Sequence, residues 1–345
     1  MYASLAAVEF HLPKAVVGNE EIALLSPNWN PQKILDKTGI AERHVADDNE
    51  CSSDLAFHAA EKLFASGSCH REEIDFVLFC TQSPDYLLPT TACLLQDRLN
   101  LQTGIGALDF NLGCSGYIYG LGMAQGLIET GQAKNVLFLT GDTYTKFLRH
   151  DDIGVRSLFG DAGTATLIRG VEGDRPLIGP YCYGTDGQGA QNLMLKRHSL
   201  RHAGHRDKPL SEEQKISGNT EEYLFMNGPE IFSFAIDAVP KAVNELLNRS
   251  HLQQDDIDLF VFHQANEFML NRLQVKLKIP SERFVIAMKG YGNTVSSTIP
   301  IALNEVIADG RLKPGMKMML VGFGVGYSWG ATLVRYSPST LSTGT

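Results

Sequence analysis

Two stretches of this chain have counterparts further along it. Glu73-Ile74-Asp75-Phe76-Val77-Leu78-Phe79-Cys80 parallels Asp256-Ile257-Asp258-Leu259-Phe260-Val261-Phe262-His263. Asn135-Val136-Leu137-Phe138-Leu139-Thr140-Gly141 parallels Lys317-Met318-Met319-Leu320-Val321-Gly322, at a similar offset of roughly 180 residues. Self-similarity at a fixed offset is the mark of a duplicated unit. Each stretch is a short apolar run, the pattern of a strand buried on both faces. Amphipathic or small-residue helices lie between the runs. An α/β chain of two like halves is therefore expected, 1–172 and 173–345, meeting near Gly170-Val171-Glu172-Gly173-Asp174.

The 345 residues suffice for a large core. Hydrophobic residues make up 43% and charged residues 20%, as in globular enzymes. A net charge of −9 argues against a nucleic-acid surface. No apolar run reaches membrane-spanning length and the N-terminus lacks a basic, cleavable leader, so a cytoplasmic protein is expected. The six cysteines (Cys51, Cys69, Cys80, Cys93, Cys114, Cys182) form no C-x-x-C pair, which argues against a zinc site and a disulfide framework. Cys80 and Cys93 read as inert core thiols.

Cys114 differs from the rest. It stands in Asn111-Leu112-Gly113-Cys114-Ser115-Gly116, between a strand-like run and a helix that carries Gly116, Gly120, Gly122, Ala124 and Gly126. Glycine is costly inside a helix, so this one is expected to pack centrally between layers. Backbone N–H groups and the helix dipole at such a corner favour a thiolate, hence a nucleophile. His263 ends an apolar strand, where side chains reach the ligand crevice of an α/β sheet; such a histidine also serves structural ends. Asn293 lies in a Gly-rich turn, where it also reads as a cap. Gly322-Phe323-Gly324-Val325-Gly326-Tyr327 implies either unusual backbone angles or a tight hairpin.

Together, in this order, these elements resemble the thiolase-fold condensing enzymes, above all the β-ketoacyl-acyl carrier protein synthase III family. The resemblance begins at Lys37-Thr38-Gly39-Ile40 and runs through Leu88-Pro89-Thr90, Gly113-Cys114-Ser115-Gly116 and Phe159-Gly160-Asp161. It ends with His263-Gln264-Ala265-Asn266, Gly292-Asn293-Thr294 and the last Gly-rich turn. It implies a thiolase-like five-layer α/β/α/β/α fold from two pseudo-duplicated halves, assembled as a homodimer. It implies that Cys114 carries an acyl group and that the amides of Cys114 and Val325 form an oxyanion hole. It implies that His263 and Asn293 hold the carbonyl of a malonyl-type thioester as CO₂ departs. Substrate contacts are implied for Tyr144, Phe159, Met226 and Asn266, with Leu88 coming from the partner subunit. No cofactor is implied beyond thioesters of coenzyme A or an acyl carrier protein. Two rival activities remain: acyl transfer to an amine or hydroxyl without loss of CO₂, and a non-catalytic partner subunit.

The match breaks at the substrate mouth. Lys33 and Ile153 stand where relatives that take coenzyme A clamp the adenine with Trp and Arg; Trp29 and Arg156 are out of register. Ser233, Phe268 and Val275 replace basic carrier-docking residues, although Arg272, Lys276 and Lys278 remain on the same predicted helix. These departures point to a specialised lipid, polyketide or glycan-related role. An irregular excursion is expected over about 183–219. Its basic cluster Lys196, Arg197, Arg201, Arg206 and Lys208 reads as a solvated loop, or as a contact for phosphates or an acidic carrier. Metal binding by His198, His202 and His205 is disfavoured, because no carboxylate is near.

Overall fold

The computed structural model describes residues 1–196, 201 and 222–338. The first half of the chain runs β1 (Tyr2–His11), β2 (Ala15–Gly18), α1 (Asn19–Ala23), α2 (Pro31–Thr38), β3 (Glu42–Val45), α3 (Ser52–Ala65), β4 (Phe76–Cys80), α4 (Thr91–Arg98), β5 (Gly106–Phe110), α5 (Gly116–Glu129), β6 (Asn135–Asp142), α6 (Ile153–Arg156) and β7 (Ala162–Val171). The second runs β8 (Ile178–Thr185), β9 (Leu193–Met194), β10 (Phe225–Met226), α7 (Gly228–Ser250), β11 (Leu259–Phe262), α8 (Glu267–Leu277), α9 (Thr298–Ala308), β12 (Lys317–Gly324) and β13 (Ser328–Arg335).

The repeated apolar runs form equivalent strands. In the first sheet the order is β1-β7-β6-β4-β5; in the second it is β8-β13-β12-β11. β4 pairs parallel with β6, Phe76 opposite Val136. Likewise β11 pairs parallel with β12, Leu259 opposite Met318. An antiparallel strand then follows in each sheet, β7 on β6 and β13 on β12. The second sheet thus reproduces four strands of the first, and β5 is the addition.

Both sheets are covered on both faces, which is why their strands read as continuous apolar runs. α3 and α4 pack on the outer face of the first sheet through Ala56, Ala60, Leu63 and Leu95. α7 and α8 cover the second through Val239, Val243, Leu270 and Leu273. Between the sheets lie α5 and α9, sharing a core of Leu121, Ala124, Ile299, Ala302 and Leu303 with Phe138 and Leu320. This is the expected five-layer α/β/α/β/α fold. Gly120 of α5 shows why small residues line its central helix: a Cβ there would stand 2.1 Å from the Phe138 ring. Among the described residues no helix is long and apolar enough to cross a membrane.

Three local expectations need correction. Cys93 is exposed on α4, because its neighbours Ala92 and Leu95 take the buried face of that helix. The stretch from 183 is not wholly irregular: β8 continues to Thr185, a 3-10 turn spans Gly187–Asn192, and β9 pairs with β10. Lys278 is the left-handed C-cap of α8, one residue past the helix. The cluster residues Arg197, Arg206 and Lys208, with His198, His202 and His205, lie outside the described residues.

Candidate active site

Cys114 sits in the short link between β5 and α5. Its carbonyl and Cβ are wedged against β12, where a Cβ on Gly324 would stand 2.9 Å from its Cβ and 3.0 Å from its Sγ. Any side chain at 324 would displace Cys114. The next residue, Ser115, holds the link to the second sheet through its hydroxyl on Ser328 Oγ at 2.6 Å. Cys114 is buried in an apolar cluster with Tyr144, Phe159, Leu193, Leu224 and Val295, bordered by Met226, Ile231 and Val325. The Tyr144 and Phe159 rings lie 5.3 Å apart between centroids.

The expectation of a thiolate favoured by the helix dipole is not met in this state. α5 begins at Gly116, with Ser115 as its cap residue, so Cys114 precedes the helix. Burial pushes its thiol well above the ordinary range, and the nearby Asp142 adds to the shift. Asp142 ends β6, fully buried. It accepts hydrogen bonds from the amide of Gln82 (2.8 Å) and the hydroxyl of Ser296 (2.5 Å). Burial pushes its carboxyl up to about 7, against those hydrogen bonds.

His263 follows β11, and its amide extends the ladder to Val321 O at 2.8 Å. The ring stands edge-on to Phe323, 5.5 Å away, one residue before Gly324. Burial lowers its pKa to about 3, so the imidazole is neutral near pH 7. Nδ1 lies 2.7 Å from Thr298 Oγ1. That hydroxyl is also 3.1 Å from the carbonyl of Val295.

Asn293 is tied by its backbone to the segment around Phe159, between α6 and β7. Its amide donates to Leu158 O at 2.8 Å, and its carbonyl accepts from Gly160 N at 3.1 Å. Its side-chain oxygen accepts from Val295 N at 3.0 Å. The turn role and a chemical role therefore coexist: with Oδ1 occupied, Nδ2 is left as a donor. Val295 adopts a left-handed φ of 56°, which a β-branched residue enters only under constraint. These loops bring the three side chains to one region through shared neighbours: Phe159 and Val295 for Asn293, Phe323 and Gly324 for His263.

The remaining expected contacts divide. Tyr144, Phe159 and Met226 join the Cys114 cluster. Asn266 instead caps α8, its side chain accepting from Met269 N at 2.8 Å. Leu88 is 84% exposed, outside the site of its own chain. Trp29 is covered by the ammonium groups of Lys33 and Lys37, at 4.9 and 4.7 Å. Arg156 is occupied by the carbonyl of His150 and by Glu21. On α8, Phe268 and Val275 are 50% and 74% exposed, and Arg272 lies over the Phe268 ring.

Four residues beside Cys114 and His263 were missed. Asp142 stood at the carboxyl end of a buried strand, a legible signal. Thr298, Gln82 and Asn111 carried none. Gln82 and Asn111 line a cavity of about 850 Å³ with Asp85, Tyr144, Leu224 and Val325.

Residues 108–187 match the profile of 3-oxoacyl-[acyl-carrier-protein (ACP)] synthase III, and residues 247–336 match that of its C-terminal part. A β-ketoacyl-[acyl-carrier-protein] synthase III of Clostridium perfringens is 35% identical over 338 residues, 96% of this chain and 99% of its own. A crystal structure of a 3-oxoacyl-(acyl-carrier-protein) synthase III is 49% identical and superimposes with a TM-score of 0.93 over 97% of this chain and all of that one. A 3-oxoacyl-(acyl-carrier protein) synthase from Burkholderia xenovorans is 36% identical, with a TM-score of 0.88 over 98% of this chain and 95% of its own. The chain belongs to the β-ketoacyl-acyl carrier protein synthase III family, the thiolase-fold condensing acyltransferases.

Proposed function

We propose that Cys114 takes an acyl group from a thioester and that the acyl-enzyme condenses with a malonyl-type thioester, releasing CO₂. In the first step the Cys114 sulfur attacks the thioester carbonyl. The amides of Cys114 and Val325 hold the oxyanion, and the departing thiol takes the proton given up by Cys114. In the second step the carbonyl oxygen of the malonyl thioester accepts from His263 Nε2–H and Asn293 Nδ2–H. The bond to the carboxylate breaks and CO₂ leaves. The resulting enolate carbon attacks the acyl carbonyl, and the C–S bond breaks to regenerate the Cys114 thiolate.

One observation carries this reading. Two side chains that can act as neutral donors neighbour the segments around the sulfur: an imidazole kept uncharged by burial, beside Phe323, and a carboxamide whose oxygen is already bonded, beside Phe159 and Val295. A carboxylate at 293 would suit proton abstraction from an acceptor hydroxyl instead. The test is Asn293→Asp. Self-acylation of Cys114, read by intact mass, is expected to persist, while CO₂ release falls by about a hundredfold or more. Unchanged condensation would remove Asn293 from the mechanism. Product formed without CO₂ release would favour transfer to an amine or hydroxyl, and no acylation at all would favour a non-catalytic subunit.

The covered Trp29 and the apolar face of α8 support a specialised donor and carrier rather than the ordinary pair. The enzyme needs no resident cofactor, since the acyl carrier arrives with the substrate. We place it in the cytoplasm as a homodimer. Leu88 would then enter the partner's pocket, which supports the dimer because that leucine is otherwise left in water.

A further inference from the structure

The apolar cluster that holds Cys114 and the cavity of about 850 Å³ share one wall. Tyr144, Leu193 and Leu224 belong to both, with Phe147 and Val325 at the edge of the cluster. Among the described residues that line the cavity, Cys114 itself is not found. Tyr144 is the largest side chain of the shared wall, and its hydroxyl donates to Gln82 Oε1 at 2.5 Å. It is buried, with its ring against those of Phe147 and Phe159, 5.8 and 5.3 Å between centroids.

This wall is fixed at its base and at its tip. Thr143 N donates to Ser83 Oγ at 2.9 Å and Thr145 N to Asp161 Oδ1 at 3.0 Å, so the backbone on both sides of Tyr144 is tied to buried side chains. At the tip Gln82 is itself held. Its amide donates to Asp142 Oδ1 at 2.8 Å, and its Nε2 to Asn111 Oδ1 at 3.0 Å. A Cβ on Gly113, the residue before Cys114, would stand 2.5 Å from Gln82 Oε1. The Tyr144–Gln82 bond therefore closes on the backbone link that carries the sulfur. A side chain pinned at backbone, ring and hydroxyl has little rotamer freedom left, and it yields to a longer chain only by breaking that bond. Beyond it the cavity offers Phe147, Leu193, Leu195 and Leu224 as apolar lining.

We propose that Tyr144, latched by Gln82, sets the length of the acyl group on Cys114. It closes the surroundings of the sulfur against the cavity, so a group of a few carbons is taken and one long enough to need the cavity is refused. This rests on the acyl-enzyme reading above and adds a specificity-determining residue to it. Without the ring, a longer chain continues past position 144 along Leu193, Leu195 and Leu224. The partner's Leu88 would approach the same pocket, and the two limits on length are separable by substitution.

The test is the ratio of octanoyl to acetyl label on Cys114, followed by intact mass and peptide mapping. Each acyl group is supplied on coenzyme A and on an acyl carrier protein. Acetyl is expected to label the wild-type protein about a hundredfold faster, since a single methylene too many already costs about tenfold or more. Tyr144→Ala is expected to raise the octanoyl rate by about tenfold or more, a gain that misfolding cannot give. Tyr144→Leu, which keeps an apolar side chain in the cluster, gives the same reading if the alanine variant does not fold. Tyr144→Phe keeps the ring without the latch, and the ratio shifts toward octanoyl by a few-fold, the worth of one hydrogen bond. Octanoyl labelling the wild-type protein as fast as acetyl would overturn the proposal and leave the acyl-enzyme intact. So would refusal of octanoyl by both smaller variants; if Leu88→Ala then admits it, the limit is the partner's leucine. Failure of every thioester to label Cys114 would overturn both.

Discussion

The hydroxyl of Thr298 faces two acceptors, His263 Nδ1 at 2.7 Å and Val295 O at 3.1 Å, and it has one proton. Turned to Val295, it accepts from Nδ1–H and leaves Nε2 bare, able to take a proton but not to give one. Turned to the imidazole, it fixes the tautomer with Nε2–H, which an enolate oxygen needs. If His263 acts as proposed, Thr298 is a positioning residue for it. In Thr298→Val, CO₂ release is expected to fall by roughly tenfold or more, with acylation of Cys114 less affected; Thr298→Ser restores it. Single-turnover rates of the two steps would show the split, whereas equal loss in both would mean a merely structural role. After burial, Asp142 is the next influence on the sulfur. Its carboxyl is neutral below about 7 and charged above. Its charge opposes the thiolate, so the rise in Cys114 reactivity with pH is blunted on the alkaline side. In Asp142→Asn that opposition is gone. Alkylation of Cys114 by iodoacetamide at pH 8 is expected to be several-fold faster than in wild type, and no different at pH 5. Peptide mapping separates this label from that of the exposed Cys93.

At the scale of the element, α5 follows directly on Cys114 and keeps its central position through glycine. A Cβ at Gly120 would meet three atoms of the Phe138 ring at 2.1, 2.5 and 2.7 Å. Phe138 is in turn stacked on Tyr117 of the same helix, 5.3 Å between centroids, so the ring has little room to yield. Gly120→Ala is therefore expected to destabilise the fold by about 1–3 kcal/mol, despite the better helix propensity of alanine. Gly126 has nothing within 4 Å of such an atom. There the propensity acts alone, and Gly126→Ala is expected to stabilise by up to about 1 kcal/mol. Urea unfolding of the two variants measures the contrast. The same element scale explains the polar ends of the helices around the site. Asn227 and Asn266 begin α7 and α8, each accepting from the amide three residues on. Asn266, taken as a substrate contact on resemblance, is held in that cap by local chemistry.

For the whole molecule, β5 is the open edge of the five-stranded sheet. Leu108, in the middle of it, is 45% exposed, and the loop Tyr86-Leu87-Leu88 leaves three large apolar side chains in water. Exposed edges and contiguous apolar patches are surfaces that partners cover. If a second copy pairs there, Leu108→Lys is expected to shift the species in sedimentation toward the monomer and to slow acylation, because the partner's leucine leaves the pocket. A variant that stays dimeric and active would place the interface elsewhere. The apolar runs at 76–80, 135–141, 259–262 and 317–322 determined the two-sheet architecture, because a strand buried on both faces must read that way wherever it stands in the chain. The places of Cys114, His263 and Asn293 in the fold were likewise legible, each at a strand end or turn that the sequence pattern alone marks. Tertiary structure alone decided the state of those groups. The raised thiol of Cys114 comes from burial and from Asp142, which lies on another strand. The neutrality of His263 comes from its surroundings, and the hydroxyl at its Nδ1 belongs to a threonine 35 residues away. Burial and long-range hydrogen bonds sum over neighbours brought together by folding, so no local pattern of residues records them.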